Sequence, residues 1–388
     1  MLNKKIPKYI HSDAILLFLL SLTYAGLSSG VFFGIRVVDI LLLAGILFKS
    51  KVKVDLTIWT LLILWFVSVG ISTYVGFADH TPYLLSDLRF FISFGLGVFL
   101  GASMGKQTTV NLEHVFYALL VGSLLIYVII PYLPTLRFYY IPKIFQSQEH
   151  ENTIFGPSMV LINFLYAYLI FKNRDRPVWF YLVFIVFTLL IFAMRISRLN
   201  LVIMLGLVAW SIGYRLIYRI KLTHLLLGIT ACLAGLIYIT QTQNERIKGI
   251  FNPSEDTSYN YRVLTNSAFL NQLAHADGTH KAFGFGMGAV FVFHYNEYLG
   301  MRVLNILDNT PITILLKSGY VGLALYVLIL LYPLIYISWH KRLVLIFPVV
   351  LTMFLFDHAL YNVLYIFGIY FIVFKFRAEQ THSALSLN

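Results

Sequence analysis

Apolar residues run along the chain in stretches of about 20, the length at which an α-helix crosses the hydrocarbon core of a bilayer, and short polar breaks separate them. The pattern predicts helices over 14–30, 32–49, 55–76, 84–104, 114–131, 156–171, 178–195, 199–216, 222–240, 310–337, 343–356 and 360–376. Backbone polar groups find no water in lipid, so such runs must close their hydrogen bonds internally as helices. The expected fold class is therefore an all-α polytopic membrane protein with about twelve transmembrane helices. Two breaks, 132–155 and 241–309, are too long for connectors, and long loops in compact proteins usually carry function. They divide the chain into a bundle of nine helices over 1–240, a large loop over 241–309, and three more helices with a tail over 310–388. The basic start MLNKKIPKYIH precedes an apolar run with no small-x-small cleavage site, which reads as an uncleaved first helix. No internal repeat is visible, which argues against a transporter built from inverted repeats.

Composition agrees with the bilayer as solvent: 59% of residues are hydrophobic and 12% charged, with a mean hydropathy of +0.79. A net charge of +12 raises nucleic acid as a partner, but the basic residues sit in short clusters between apolar runs, not along a soluble face. Cytoplasmic loops are enriched in Lys and Arg. An inside N-terminus puts Lys4, Lys5, Lys8, Lys49, Lys51, Lys53, Lys106, Lys172, Arg174, Arg176, Arg215, Arg219, Lys221, Lys341, Arg342, Lys375 and Arg377 on the cytoplasmic side and 241–309 outside. Cys232, the single cysteine, lies in an apolar run, so neither an intrachain disulfide nor a cysteine-rich metal site is expected. The 33 Phe and 26 Tyr suit bilayer interfaces, helix packing, or a path for sugars.

Ionisable residues at membrane helices are costly and are functional candidates for that reason. In FAMRISRLNLVIML, Arg195 and Arg198 stand three apart at a helix end, where they suit either a pyrophosphate or lipid phosphates. Residues 258–273, SYNYRVLTNSAFLNQL, read as an amphipathic helix carrying Arg262 among Tyr259, Tyr261, Leu264 and Phe269. In KAFGFGMGAV the alternating Gly284, Gly286 and Gly288 let backbone approach a ligand or make a turn, and the spacing is not a dinucleotide fingerprint. Asp308 and Asn309 precede the tenth helix, with Pro311 in its first turn; they read as caps, or Asp308 as a base for an attacking hydroxyl. Asp357, His358 and Asn362 form a polar cluster at a short hairpin connection. Arg36 with Asp39, and Asp87 with Arg89, read as local ion pairs. Phe291, Phe293, Tyr295 and Tyr298 either pack or stack on sugar rings, and His294 lies among them.

The order of these features, Ser197–Arg198, then Arg262, the FGFGMG turn, and DN ahead of ITILLKSGYVGL, resembles the O-antigen ligase and polymerase superfamily. It is most like the Wzy-type polymerases of O-antigen or exopolysaccharide repeat units. The resemblance covers the chain from residue 190 onward; the N-terminal half matches in hydropathy and helix number only. It implies a bundle like that of the GT-C glycosyltransferases, in the bacterial inner membrane, with both termini cytoplasmic and a periplasmic loop. It also implies a metal-independent inverting glycosyltransferase without a cofactor, acting on undecaprenyl-pyrophosphate-linked glycans. Asp308, Arg198 and Arg262 would be catalytic. Arg195, Asn309, Gly284, Gly286, Gly288, Tyr261, His294 and His358 would bind substrate. A flippase and a chain-length regulator are the protein partners such an enzyme would have. The ligase branch places a His where this chain has Asp308 and a Glu where it has Lys317, which favours polymerase over ligase. The other readings are a ligase, a flippase or transporter of lipid-linked oligosaccharide, a peptidoglycan-type polymerase, and a membrane scaffold.

Overall fold

The computed structural model describes residues 31–32, 35–48, 54–79, 81–107, 111–124, 157–172, 177–193, 257–294, 301–304, 309–337 and 363–385, with Leu16, Gly206, Leu207 and Ala209. These residues are mostly helical. A small hairpin, β1 (Val31–Phe32) with β2 (Ile35–Arg36), leads into α1 (Val37–Phe48). There follow α2 (Leu56–Ala78), α3 (Leu84–Gln107), α4 (Leu112–Leu124), α5 (Pro157–Lys172) and α6 (Val178–Ala193). Next come α7 (Thr257–His275) and α8 (Gly278–Phe283), then the antiparallel hairpin β3 (Phe291–His294) and β4 (Met301–Leu304). The last are α9 (Thr310–Leu331), continued by a 3-10 turn (Tyr332–Tyr336), and α10 (Val363–Leu385). The predicted helices 14–30, 199–216, 222–240 and 343–356 lie outside the described residues, apart from single positions.

Among the described residues, three helical segments are long and apolar enough to cross a membrane: Leu56–Ala78, Leu84–Gln107 and Thr310–Tyr336. The first has a composition compatible with lipid as its solvent. Its inward residues Leu62, Trp65 and Val69 are apolar, and so are its exposed ones, Ile63, Leu64, Val67, Tyr74 and Phe77. A helix that is apolar all round has no face for water. Its Thr60 and Thr73 hydroxyls donate back to the carbonyls of Leu56 (3.1 Å) and Val69 (2.6 Å), which satisfies them within the helix.

The largest helix contact joins α3 to α10. Gly97, Gly101 and Gly105 fall four apart on α3, the small-xxx-small spacing that lets backbones close up in lipid. A Cβ on Gly101 would stand 2.6 Å from the Phe367 carbonyl oxygen, and one on Gly105 2.5 Å from that of Phe371. Beside this seam α5 packs on α4 and α10, and the stacked rings of Tyr166 and Phe184 (3.7 Å between centroids) tie α5 to α6.

The two ends of the bundle differ. At one end, Asp55 before α2 pairs with Lys106 of α3 (2.6 Å) and Arg377 of α10 (3.4 Å), and the Arg377 guanidinium lies 4.1 Å from the Tyr336 ring centroid. At the other end stand the C-terminus of α2 and the N-termini of α3 and α9, met by α8 and the segment after it. Two basic residues that the charge pattern assigns to a common side, Lys106 and Arg377, do share one end.

The described ion pairs of Asp39 and Asp87 run between helices, and the Arg36 side chain, expected beside Asp39, lies outside the described residues. Asp39 of α1 accepts a hydrogen bond from Ser93 (2.6 Å) and lies 3.7 Å from Arg89, both on α3. Asp87, two residues before Arg89, pairs with Lys317 of α9 instead. Residues two apart on a helix point to different sides, so Asp87 and Arg89 look toward different neighbours.

Candidate functional site

The segment 283–289 is a strap threaded across the C-terminal end of α2, the start of α3 and the break two turns inside α9. The Phe285 N–H donates to the Leu316 carbonyl (2.8 Å), and the Met287 N–H to the Ser72 carbonyl (2.9 Å). Ser72 returns a bond through its hydroxyl to the Phe283 carbonyl (3.1 Å), and Thr81 donates to the carbonyls of Gly76 and Met287. The acceptor at Leu316 exists because α9 breaks at Gly319, where φ is 61° and ψ −161°. Only glycine adopts that backbone readily. The break releases carbonyls that a continuous helix would use, and the strap supplies the missing donor.

Beneath the strap lies the buried pair. Lys317 Nζ stands 2.6 Å from Asp87 Oδ2, with both side chains fully buried. The same carboxylate oxygen accepts the Gly288 N–H at 2.7 Å, and the Lys317 ammonium donates to the Ala289 carbonyl. The pair therefore holds the strap through two consecutive residues, one bond in each direction. Both charges gain a partner besides each other, as a buried pair requires. Gly284, Gly286 and Gly288 all have positive φ. The close approach they permit is to helix backbone: Gly284 to Lys317 and Ser318, Gly286 to Gly76, and Gly288 to Leu84.

The strap connects to an outer module. Asp277 caps α8, its side chain accepting the His280 N–H at 2.8 Å. That backbone bond, then the bond from the His280 ring, hold its carboxyl below the usual aspartate range. Thr265, Phe269 and Leu273 form the buried stripe of α7 at a spacing of four. Phe269 and Leu273 pack in one cluster with Phe291 and Phe293 of β3 and Leu315 and Leu316 of α9. Arg262 stands three, seven and eleven residues before that stripe, hence on the same face. It is half-buried, and one turn on, Asn266 carries a buried Oδ1 without a hydrogen-bond partner among the described residues. Asn309 caps α9 by accepting the Ile312 N–H at 3.3 Å, and Pro311 sits in the first turn.

On another side of α7 a cleft of about 430 Å³ opens toward β3. Leu264, Ala268, Asn271, Gln272 and His275 form its α7 wall. Phe291, Val292 and Phe293 form the other. Tyr261 meets Phe293 edge to face at 5.6 Å, beside the cleft.

Of the residues expected to bind or react, Arg262, Tyr261, Asn309 and the three glycines belong to this one end of the molecule. His294 is in β3, paired with Met301. Asp308, Arg195, Arg198 and His358 lie outside the described residues. Sequence reasoning missed Asp87 and Lys317 as a unit. The available signal was a lone lysine two turns inside an apolar helix, a position where a charge needs a partner. Among the described residues no group of His, Cys, Asp or Glu is arranged to hold a metal ion. No family model matches the chain, and no curated protein matches it.

Proposed function

We propose that this protein is a glycosyltransferase of the bacterial inner membrane that polymerises undecaprenyl-pyrophosphate-linked oligosaccharide repeat units on the periplasmic face. The observation that supports this most is the placement of Arg262. It lies on the inward face of α7, in a module whose strap meets α9 at the break two turns inside that helix, at the end of the bundle where a lipid-borne headgroup would be reached.

In the proposed reaction an acceptor sugar hydroxyl attacks the anomeric carbon of the donor from the side opposite the pyrophosphate. The new C–O bond forms as the bond to the phosphate oxygen breaks, with inversion. The hydroxyl proton goes to the Asp308 carboxylate, next in the chain to the Asn309 cap. The pyrophosphate leaves as an anion and needs no proton. Arg262, together with Arg198, offsets the charge that grows on it, through charge-assisted hydrogen bonds that are roughly twice as strong as neutral ones. The outer module excludes water, which would otherwise hydrolyse the donor. Both termini are cytoplasmic, and a flippase delivers donors to the outer leaflet while a chain-length regulator limits the product.

A second reading, a flippase of lipid-linked oligosaccharide, draws support from the helix broken at Gly319 beside a buried Lys–Asp pair, since transporters use interrupted helices and buried charges. Deleting the gene separates the readings. Loss of a polymerase leaves single repeat units on lipid at the periplasmic face. Loss of a flippase leaves them at the cytoplasmic face, and loss of a ligase leaves long polymer on lipid. Unchanged surface polymer would rule out all three.

A further inference from the structure

The cleft between α7 and β3 is not used by the reaction above. Leu264, Ala268, Asn271 and His275, which line it, lie about 120–180° around the α7 axis from Arg262 at 3.6 residues per turn, and Gln272 about 80°. A group gripped by Arg262 and a group in the cleft therefore occupy different sides of one helix. The volume, about 430 Å³, is within the ~300–1,000 Å³ of small-molecule sites.

The chemistry of its walls narrows the occupant. Among the described residues the lining carries no Asp, Glu, Lys or Arg, so neither a phosphate nor a charged peptide finds a counter-charge among them. Asn271 and Gln272 are exposed amides, each offering two N–H donors and a carbonyl acceptor. The His275 Nδ1–H donates to the Asn271 main-chain carbonyl at 2.8 Å, which leaves the ring's other nitrogen as an acceptor in the neutral form. Opposite stands the exposed Val292, with Phe291 and Phe293 largely buried on either side of it. Neutral donors and acceptors beside the exposed apolar side chains of Leu264 and Val292 match a molecule with hydroxyls around its rim and C–H bonds on its faces. Lipid tails would leave the amides unpaired.

We propose that this cleft is a subsite for uncharged sugar residues of the lipid-linked glycan, remote from the reacting end. The inference rests on the polymerase reading for the identity of the glycan. From Leu264 to His275 the α7 wall extends about 16 Å at 1.5 Å per residue, so a run of sugars can lie along it while the pyrophosphate end remains on the Arg262 side. Holding the chain there would favour its elongation over its exchange.

The test uses the full-length protein in lipid nanodiscs. The probe is the repeat-unit oligosaccharide as a free reducing sugar, without lipid or phosphate, cut from the host's own surface polysaccharide. Saturation-transfer NMR titration should show binding to wild type. Joint Asn271→Ala and Gln272→Ala substitution should weaken it by tenfold or more, as loss of two hydrogen bonds implies. Ala268→Trp, at an exposed position that fills the cleft, should abolish it, with thermal unfolding unchanged in both variants. Absent binding to wild type, or variants that unfold like wild type and bind as it does, overturn the cleft and leave the polymerase reading standing if gene deletion still stops polymer formation. Cleft-dependent binding in a protein whose deletion spares the polymer upholds the cleft as a sugar site and defeats the reading.

Discussion

Replacing Lys317 with Met should free the strap from the bundle, and the size of the effect follows from the burial of the pair. Both side chains are inaccessible to solvent, so water screens little of the loss. Met keeps the volume of the lysine stem but leaves Asp87 as a buried charge that has lost its ammonium partner, with the Gly288 N–H still donating to it. Breaking a buried pair on one side costs about 3–5 kcal/mol. Neutralising both partners should cost less. In the Asp87→Asn, Lys317→Met double variant the Asn oxygen still accepts the Gly288 N–H, and the main loss is the donor to the Ala289 carbonyl, about 1–3 kcal/mol for an unpaired buried acceptor. The two substitutions are thus non-additive, with the double variant the more stable. Hydrogen exchange of the strap amides reports this directly, because the N–H groups of Phe285, Met287 and Gly288 are bonded to Leu316, Ser72 and Asp87. At tenfold per 1.4 kcal/mol, the single variant should exchange them roughly 10² to a few times 10³ faster. The double variant should fall between it and wild type. Wild-type protection in Lys317→Met, or a double variant more labile than the single, would refute the argument that the pair clasps the strap.

Three further outcomes follow from the same geometry. Gly286→Ala should destabilise the protein by about 1–3 kcal/mol or more, because φ is +92° and its Cβ would lie 2.6 Å from the Gly76 Cα; Gly278→Ala, with nothing within 4 Å, should change the thermal midpoint in detergent little. The depressed Asp277 pKa means its cap on α8 is intact above the usual aspartate range and is lost as pH falls through the lowered value. Hydrogen exchange at the His280 amide should therefore show protection relative to its intrinsic rate that persists through the usual aspartate range and declines below it, and in Asp277→Asn that dependence should vanish. In a Cys232→Ser background, Asn271→Cys should react with a membrane-impermeant maleimide added outside intact spheroplasts; labelling only after lysis would invert the topology.

Much of the local architecture was legible in the sequence because its causes are local. Run length alone located α2, α3, α5, α6 and the start of α9, and the period of apolar residues located α7 within two residues of its observed ends. The Asn309 cap and Pro311 were readable from short-range chemistry. What could not be read joins distant parts of the chain. Gly288 and Asp87 are 201 positions apart, and no periodicity links them. The three glycines advertise close approach without naming what approaches. In this fold it is helix backbone, which a ligand-facing interpretation of FGFGMG did not anticipate. Asp87 likewise finds Lys317 on a distant helix, a partner that no local spacing indicates.

The polymerase account meets its most direct test in purified protein reconstituted in liposomes and supplied with undecaprenyl-pyrophosphate-linked repeat units. The account predicts a ladder of lipid-linked oligomers from wild type, none from Arg262→Ala, and partial recovery with Arg262→Lys, because an ammonium replaces the charge but not the bidentate fork. A wild-type protein that leaves single repeat units unjoined, or an Arg262→Ala protein that builds the same ladder, would contradict it.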